Sequence, residues 1–130
     1  MDVSRNIILI GFMGTGKTTI GLACAKHFGL EFIDSDAEIV SNAQCSIPEI
    51  FQTHGESYFR QLESQVLTNI LKRNRFVLAT GGGIITSQKN RDLLLASKNF
   101  GNVVFWLRAQ PETILQRVEN NGDRPLLQLD

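Results

Sequence analysis

Short apolar runs alternate along the chain with segments of helical period. The runs cover residues 7–10, 32–33, 76–79 and 103–107, and each precedes polar or glycine-rich residues. Such alternation is typical of βα units on a parallel sheet. Between the second and third runs, apolar residues recur at three- and four-residue steps, which predicts an amphipathic helix over about 56–72. The pattern therefore predicts an α/β fold.

Two capping boxes predict further helix starts. Ser35 is followed three residues later by Glu38, and Ser46 is followed in the same way by Glu49, with Pro48 between them. In a capping box the serine hydroxyl accepts a hydrogen bond from a backbone N–H group of the first turn. We therefore expect Ser35 and Ser46 each to open a helix.

A glycine-rich segment, GFMGTGKTT, follows the first apolar run. It satisfies the pattern GxxxxGK(S/T), in which backbone N–H groups form an anion nest at the positive end of the following helix. Lys17 would neutralise the β- and γ-phosphates of a nucleotide, and the Thr18 hydroxyl would ligate a Mg²⁺ ion that bridges them. A turn of purely structural use is the alternative. The residues expected at the nucleotide are Gly11, Gly14, Thr15, Gly16, Lys17, Thr18 and Thr19.

Charge and cysteine content narrow the range of functions. The 130 residues carry 13 basic and 13 acidic side chains, which argues against a nucleic-acid groove or an anionic membrane surface as the partner. The sequence contains no guanine-reading NKxD segment, which argues against a GTP switch, and its two cysteines lack zinc-site spacing. No apolar run approaches the length of a membrane span. We expect one cytoplasmic, monomeric domain that binds small molecules.

Two carboxylates follow the second apolar run, at a position where open α/β sheets collect ligands. Asp34 can hold a Mg²⁺-bound water or accept a hydroxyl proton, and Asp36 can accept hydrogen bonds from substrate hydroxyls. Alternatively, Asp34 is a turn residue and Asp36 favours the first turn of its helix through the helix dipole. We expect the functional roles beside a phosphate-binding loop.

Three glycines, Gly81, Gly82 and Gly83, follow the third apolar run. Because they carry no side chain, a ligand can reach the backbone, whose N–H groups can bind substrate hydroxyls. A strand-to-helix turn is the alternative, although such a turn needs only one or two glycines. We expect these residues to contact the substrate.

Arg60 lies between Glu56 and Glu63 on the predicted helix. Exposed salt bridges between helix neighbours are one explanation of this spacing. The other is that the Arg60 guanidinium binds a substrate carboxylate while Glu63 orients it, a bidentate contact that lysine could not make as well. The spacing does not decide between the two.

Two further arginines lie near the end of the chain. Arg124 is in a turn-rich stretch suited to a lid over phosphates, where its charge could stabilise the transition state of phosphoryl transfer. Arg117 could stack on an adenine ring. Either could equally be a plain surface cation.

Five segments, GFMGTGKT, FIDSD, GESYFRQLE, ATGGGI and RPLL, occur in this order and together resemble the shikimate kinase family. The resemblance implies a three-layer P-loop fold with a parallel sheet in the order 2-3-1-4-5. It implies transfer of the γ-phosphoryl group of ATP to the 3-hydroxyl of shikimate with Mg²⁺, in aromatic amino acid biosynthesis. A single domain over 1–130 would hold its substrate-binding region at about 34–63 and a lid at about 117–130.

The resemblance also implies roles for individual residues. Lys17, Asp34 and Arg124 would be the catalytic residues. Asp34 would hold the magnesium-bound water or accept the proton. Asp36 and Gly82 would bind substrate hydroxyls, and Arg60, supported by Glu63, would bind the shikimate carboxylate. Arg117 would approach adenine, and Arg124 would approach the transferring phosphate.

The family pattern has further parts beyond residue 130: a fifth strand, a second carboxylate-binding arginine and a terminal helix. We therefore expect a C-terminally incomplete domain, and we expect the 130-residue chain, if it is complete as made, to be a weak or inactive kinase. Gluconate kinase, or another small-metabolite kinase of the same fold, is an alternative, although it is not expected to carry both the triple glycine and FRxxE. A nucleotide-binding module without catalysis is the other alternative.

Overall fold

The computed structural model describes residues 6–11 and 16–108. This part of the chain contains four strands and four helices, two of which (the second and third) follow one another, and two short 3-10 helices at Ile84–Thr86 and Lys98–Phe100. The elements are β1 (Ile7–Ile10), α1 (Lys17–Phe28), β2 (Glu31–Asp34), α2 (Ser35–Ala43), α3 (Ile47–Ile70), β3 (Phe76–Ala79), α4 (Gln88–Ser97) and β4 (Val103–Trp106).

The four strands form one parallel sheet in the order β2-β3-β1-β4. This order and the parallel pairing confirm the predicted sheet as far as its fourth strand. The register places Asp34 beside Ala79 and Ile10 beside Trp106, so the carboxyl ends of all four strands lie at one edge. Asp34, Asp36 and the triple glycine are in segments at this edge, which brings these predicted site residues to one side of the sheet.

Apolar side chains cover both faces of the sheet. Every residue of β3 is buried, as expected for a strand with a neighbour on each side and helices above and below. On one face, Ile8 and Ile33 pack in a cluster with residues of α2, α3 and α4. On the other face, Leu9 and Val77 pack with α1. The arrangement is a three-layer helix–sheet–helix fold.

The long helix α3 contains a kink at Gly55. This residue has φ 85° and ψ 175°, so two helical segments meet there without a break in the chain. Glycine reaches this conformation without the clash that a Cβ would cause. The helix predicted over about 56–72 is the segment that follows the kink, and it ends at Ile70.

The two predicted capping boxes have different outcomes. Ser46 caps α3, since its Oγ accepts a hydrogen bond from the Glu49 N–H group at 3.3 Å. The prediction for Ser35 is wrong, because Asp34 is the N-cap of α2 and its Oδ1 accepts hydrogen bonds from the N–H groups of Asp36 and Ala37. The last residue of β2 already reaches the helix start, where the dipole favours a carboxylate. The helix therefore begins one residue earlier than predicted.

Among the described residues, no helix combines the length and the apolar character needed to cross a bilayer.

Candidate active site

The loop that leaves β1 leads into the N-terminus of α1. Gly11 and Gly16 both have positive φ, 148° and 90°. Gly16 is the N-cap of α1 and has no side chain that could cap the first turn, which contains no acidic residue. A helix end of this kind suits an anion such as a phosphate.

Lys17 is the first residue of α1 and is buried beside this loop. Its Nζ donates a hydrogen bond to the carbonyl oxygen of Gly11. A buried ammonium group is stable only when hydrogen bonds and negative charge compensate its lost hydration. The position of Lys17 thus adds positive charge to a helix end that has no acidic neighbour in its first turn.

The residues at the start of α1 suit a Mg²⁺ ion that takes most of its ligands from water and substrate phosphates. The described residues contain no group of three or more histidine, cysteine, aspartate or glutamate side chains that could hold a metal ion. Thr18 is half-buried and Thr19 exposed in the first turn of α1. A hydroxyl ligand without a carboxylate cage fits Mg²⁺, which usually retains waters and takes further ligands from substrate phosphates.

The segments after β2 and β3 are tied together at the same sheet edge. Ser35 is buried, and its Oγ accepts a hydrogen bond from the Gly81 N–H group at 3.0 Å. The Asp36 carboxylate packs on the backbone of Gly81, since a Cβ added at Gly81 would lie 2.6 Å from Asp36 Oδ1. Gly81 therefore leaves room for the Asp36 carboxylate.

Gly83 leaves room for Arg60 in the same way. A Cβ added at Gly83 would lie 2.8 Å from both Nη1 and Nη2 of Arg60, and the Gly83 carbonyl accepts a hydrogen bond from Nη1 at 3.3 Å. Gly83 has φ −94°, which any residue adopts, so crowding rather than backbone strain requires glycine here. The sequence suggested ligand access to the backbone, whereas the structure adds the close approach of two site side chains.

The hydrogen bonds that the described residues make to the Arg60 guanidinium are all at Nη1. Nη1 donates to both carboxylate oxygens of Glu63, at 3.1 and 3.3 Å, and to the Gly83 carbonyl. The buried Nε makes no hydrogen bond within the described part of the chain, and its ion-pair partner, Glu56 Oε1, is 3.7 Å away. The guanidinium also lies over the Phe59 ring, 5.2 Å from its centroid. An Nε without an acceptor points to a ligand that supplies one.

Glu63 is not an exposed partner in a helix salt bridge, because its side chain is only 1% exposed. Burial raises the pKa of this carboxyl above its ordinary value, and the nearby Asp36 carboxylate raises it further. Arg60 and a hydrogen bond from Asn90 act in the opposite direction without cancelling the effect of burial. The Arg60–Glu63 pair therefore orients Arg60 at the cost of burying a carboxylate.

The raised pKa of Glu63 predicts a pH-dependent loss of stability. The folded state holds the Glu63 proton more tightly than the unfolded state. The resulting stabilisation is fully present below the ordinary pKa of 4.5 and is lost as pH rises through the raised pKa. Glu63→Gln has no proton to lose at this position. The free energy of unfolding, measured against pH, should fall in the native protein relative to Glu63→Gln as pH rises above 4.5. Parallel pH profiles for the two proteins would contradict this prediction.

Four residues that we predicted at the site lie outside the described part of the chain: Gly14, Thr15, Arg117 and Arg124. The structure places the other predicted residues at the carboxyl edge of the sheet or on the helices that start or pack there. Gly82 lies between the two glycines that contact Asp36 and Arg60.

Comparison with known proteins agrees with this arrangement. The family model for shikimate kinase matches residues 13–130, which is most of the chain. The chain belongs to the shikimate kinase family.

Individual relatives give the extent of the similarity. A shikimate kinase of Parasynechococcus marenigrum is 46% identical over 127 residues, which cover 97% of this chain and 64% of that protein. A solved structure described as shikimate kinase from Acinetobacter baumannii in complex with shikimate has 43% identity and a TM-score of 0.86, over 98% of this chain and 69% of that one. The chain thus spans about two thirds of the length of these shikimate kinases.

A gluconokinase of Sinorhizobium meliloti is also similar in structure, with a TM-score of 0.58 at 19% identity over 95% of this chain and 69% of that one. Identity at this level shows a shared fold alone. The shikimate kinases and this more distant kinase share the P-loop NTPase fold that the motif order implied.

Sequence reasoning missed several polar residues that support the candidate site. Ser35 was interpreted as a helix cap but bonds to Gly81, and Asn90 donates to Glu63 from α4. Thr80 is buried and donates through both its N–H group and its Oγ1 to the Leu9 carbonyl, which connects β3 to β1 just before Gly11. Single polar residues carry no periodic or motif signal, so only the structure reveals their contacts.

Proposed function

We propose that the protein transfers the γ-phosphoryl group of ATP to the 3-hydroxyl of shikimate, which gives shikimate 3-phosphate and ADP. The observation that carries this proposal is the Arg60 guanidinium, fixed on its Nη1 side by Glu63 and Gly83 while the buried Nε lacks a hydrogen bond within the described residues. Such a guanidinium suits a carboxylate ligand. Membership of the shikimate kinase family and the shikimate-bound relative support shikimate as that ligand.

The acceptor would lie between Arg60 and the triple glycine. Nε and Nη2 share one edge of the guanidinium and would bind the carboxylate there. Asp36 would accept hydrogen bonds from ring hydroxyls. Because the Gly81 N–H group already donates to Ser35, we assign the backbone contacts with the acceptor to Gly82 and Gly83, with Gly81 in van der Waals contact. The substrate-binding region would thus lie at about 34–63 and at the triple glycine.

The phosphoryl donor would lie at the N-terminus of α1. Bound ATP with Mg²⁺ supplies the γ-phosphoryl group and a divalent charge that offsets the charge of the phosphates. The uncapped N–H groups of α1 and the Lys17 ammonium would hold the phosphates, and the Thr18 hydroxyl would ligate the metal. Gly14, Thr15, Thr19, Arg117 and Arg124 complete the proposed donor side.

Asp34 would take the proton of the acceptor hydroxyl or hold a metal-bound water. Its Oδ1 accepts two backbone hydrogen bonds at the start of α2. These bonds fix the carboxylate and leave Oδ2 as the oxygen that we assign to the reaction. A carboxylate held in place at the sheet edge can act as a base without reorganising during the reaction.

We place this reaction in a cytoplasmic monomer that acts on small molecules and binds neither nucleic acid nor membrane. The balance of 13 basic and 13 acidic side chains supports the absence of a polyanionic partner. A lid over about 117–130 belongs to the same proposal.

The test is ADP release by the purified protein with ATP, Mg²⁺ and one acceptor at a time. Shikimate should raise ADP release above the rate with water, even if the absolute rate is low, whereas gluconate should not. Turnover with gluconate but not with shikimate would favour another small-metabolite kinase. Tight ATP binding without transfer to any acceptor would favour a nucleotide-binding module, and either result would overturn the proposal.

Replacing Gly83 with alanine should weaken shikimate binding with little effect on ATP. The new Cβ would displace the Arg60 guanidinium, whose nearest atoms are 2.8 Å from its position. We expect the KM for shikimate to rise about tenfold or more, because a displacement of this size misaligns a charge-assisted contact. Steady-state kinetics with each substrate varied in turn measures the change.

Gly29→Ala is the matched control for Gly83→Ala. Gly29 has φ +66° and no atom within 4 Å of an added Cβ, so this change strains the backbone without crowding Arg60. It should lower the melting temperature and leave the KM for shikimate unchanged. An unchanged KM in Gly83→Ala, or an equal rise in both variants, would contradict the crowding explanation.

A further inference from the structure

Asn90 lies at the third position of α4 and is fully buried. Its side chain makes three hydrogen bonds to two other parts of the fold. Oδ1 accepts from Ser64 Oγ at 2.6 Å, and Nδ2 donates to Glu63 Oε1 at 3.2 Å and to the Ile84 carbonyl at 2.9 Å. A carbonyl can only accept, so the Ile84 contact fixes which end of the amide is Nδ2.

These bonds connect Asn90 to Glu63 and to the residue after Gly83, and Glu63 and Gly83 are the two groups that accept hydrogen bonds from Arg60. Glu63 Oε1 binds Arg60 Nη1 on one side and Asn90 Nδ2 on the other. Gly83, whose carbonyl is the second acceptor for Nη1, is followed directly by Ile84, whose carbonyl also accepts from Asn90 Nδ2. One amide group therefore fixes the Glu63 carboxylate relative to the segment that follows the triple glycine.

Each of these groups would be poorly placed without Asn90. The Glu63 carboxylate is buried, and its hydrogen-bond donors within the described residues are Arg60 and Asn90. If the Asn90 amide were removed, Glu63 would keep Arg60 as a donor but could rotate about its own side-chain torsions. The guanidinium would move with it, since charge-assisted contacts of 3.1 and 3.3 Å join the two.

We propose that Asn90 is a positioning residue for the acceptor carboxylate, which it governs through Glu63 and Arg60 without touching the acceptor itself. Ser64 belongs to the same hydrogen-bond network, because its hydroxyl donates to Asn90 Oδ1 and so orients the amide. This inference rests on the proposed function, in which Arg60 binds the shikimate carboxylate. It predicts that a change at Asn90 alters acceptor affinity rather than the rate of phosphoryl transfer.

The variant that tests the proposal is Asn90→Ala. Steady-state kinetics should show a KM for shikimate about tenfold higher, with kcat and the KM for ATP within about twofold of the native values. In an Arg60→Ala background the same substitution should change the KM for shikimate less than twofold, because the residue through which it acts is gone. A full tenfold effect in that background would overturn the proposal.

Asn6→Ala is the matched control, because Asn6 is also a buried asparagine with three side-chain hydrogen bonds. Its amide donates to Asn102 Oδ1 and the Arg73 carbonyl and accepts from the Phe76 N–H group. It lies at the amino ends of the strands, at the opposite edge of the sheet from Arg60. Asn6→Ala should lower the melting temperature without raising the KM for shikimate, and an unchanged KM in Asn90→Ala as well would overturn the proposal.

Two further measurements decide the matter if Asn90→Ala does not fold or the native protein does not turn over shikimate. Ser64→Ala removes a single bond and should raise the KM for shikimate about threefold. A crystal structure of Ser64→Ala or Asn90→Ala should show Arg60 Nη1 displaced from the Gly83 carbonyl, and an unmoved guanidinium would overturn the positioning role. The absence of turnover in the native protein would instead contradict the proposed function. The position of Arg60 in the crystal structure tests the positioning role even then.

Discussion

Replacing Lys17 with alanine should lower kcat for the ATP-dependent phosphorylation of shikimate about a thousandfold or more. Lys17 is the first residue of α1, whose N-cap is Gly16 and whose first turn contains no acidic residue. Removal of a fixed positive group from the site of charge development costs a factor of this order in enzymes that act by electrostatic stabilisation. Coupled ADP-release kinetics at saturating shikimate measures the loss.

Lys26→Ala is the control for this prediction, since Lys26 is exposed in the last turn of the same helix. It removes an equal charge about two and a half turns further along and should leave kcat unchanged. Binding of shikimate to Lys17→Ala, measured by calorimetry, should stay within about threefold of the native value because Lys17 belongs to the donor side. A Lys17→Ala protein with near-native kcat would show that the loop does not hold the transferred phosphate.

Replacing Arg60 with alanine should raise the KM for shikimate about a hundredfold, with a much smaller effect on the KM for ATP. The expected loss corresponds to one charge-assisted, two-pronged contact with a carboxylate. The variant also leaves the buried Glu63 carboxylate without its cation, so a lower melting temperature is expected in addition. Kinetics with each substrate varied separately distinguishes the binding effect from the loss of stability.

Arg60→Lys sharpens this prediction because it keeps the charge and loses the planar fork. An ammonium group cannot satisfy Glu63, Gly83 and a ligand carboxylate with the same geometry, so we expect a large part of the KM increase to remain. Arg73→Ala is the control, since Arg73 makes a more exposed ion pair with Glu38 on another part of the surface. Equal losses for shikimate and ATP in Arg60→Ala would contradict the assignment of Arg60 to the acceptor.

The donor and acceptor halves of the proposed site meet because of the sheet order. β1 leads to the phosphate-binding loop, and β3, its neighbour, leads to the triple glycine. Thr80 joins these two strands through two hydrogen bonds to the Leu9 carbonyl, at 3.1 Å from its N–H group and 2.8 Å from Oγ1. In the proposed function, the parallel sheet therefore sets the spacing of the donor and acceptor halves.

The fold could be predicted from the sequence to a large extent, because its signals are periodic. The apolar runs gave the four strands within one or two residues, and the three- and four-residue spacing gave the segment of α3 after Gly55. The sheet order came from the resemblance of five motifs to a known family, since no local pattern specifies which strands become neighbours.

Site residues could be predicted where a sequence motif implies their chemistry. They could not be predicted where their burial or hydrogen-bond partners depend on tertiary contacts. Arg60 and Glu63 have the spacing of an exposed helix pair, and only the packing of α4 against α3 shows that Glu63 is buried. Ser35 matched a capping box, but Asp34 occupies the capping position because β2 leads directly into α2. Asn90 has no sequence signal at all, since its three partners come from segments that the fold brings together.

The most direct test of the central claim is a ³¹P NMR spectrum of the purified protein incubated with ATP, Mg²⁺ and shikimate. The proposed site holds the acceptor by its carboxylate and presents one hydroxyl to the γ-phosphate. The spectrum should therefore gain a single phosphomonoester signal, coupled to the proton on carbon 3 of shikimate, in step with the appearance of ADP. A phosphomonoester on another carbon, inorganic phosphate as the only product, or unchanged ATP would contradict the proposed reaction.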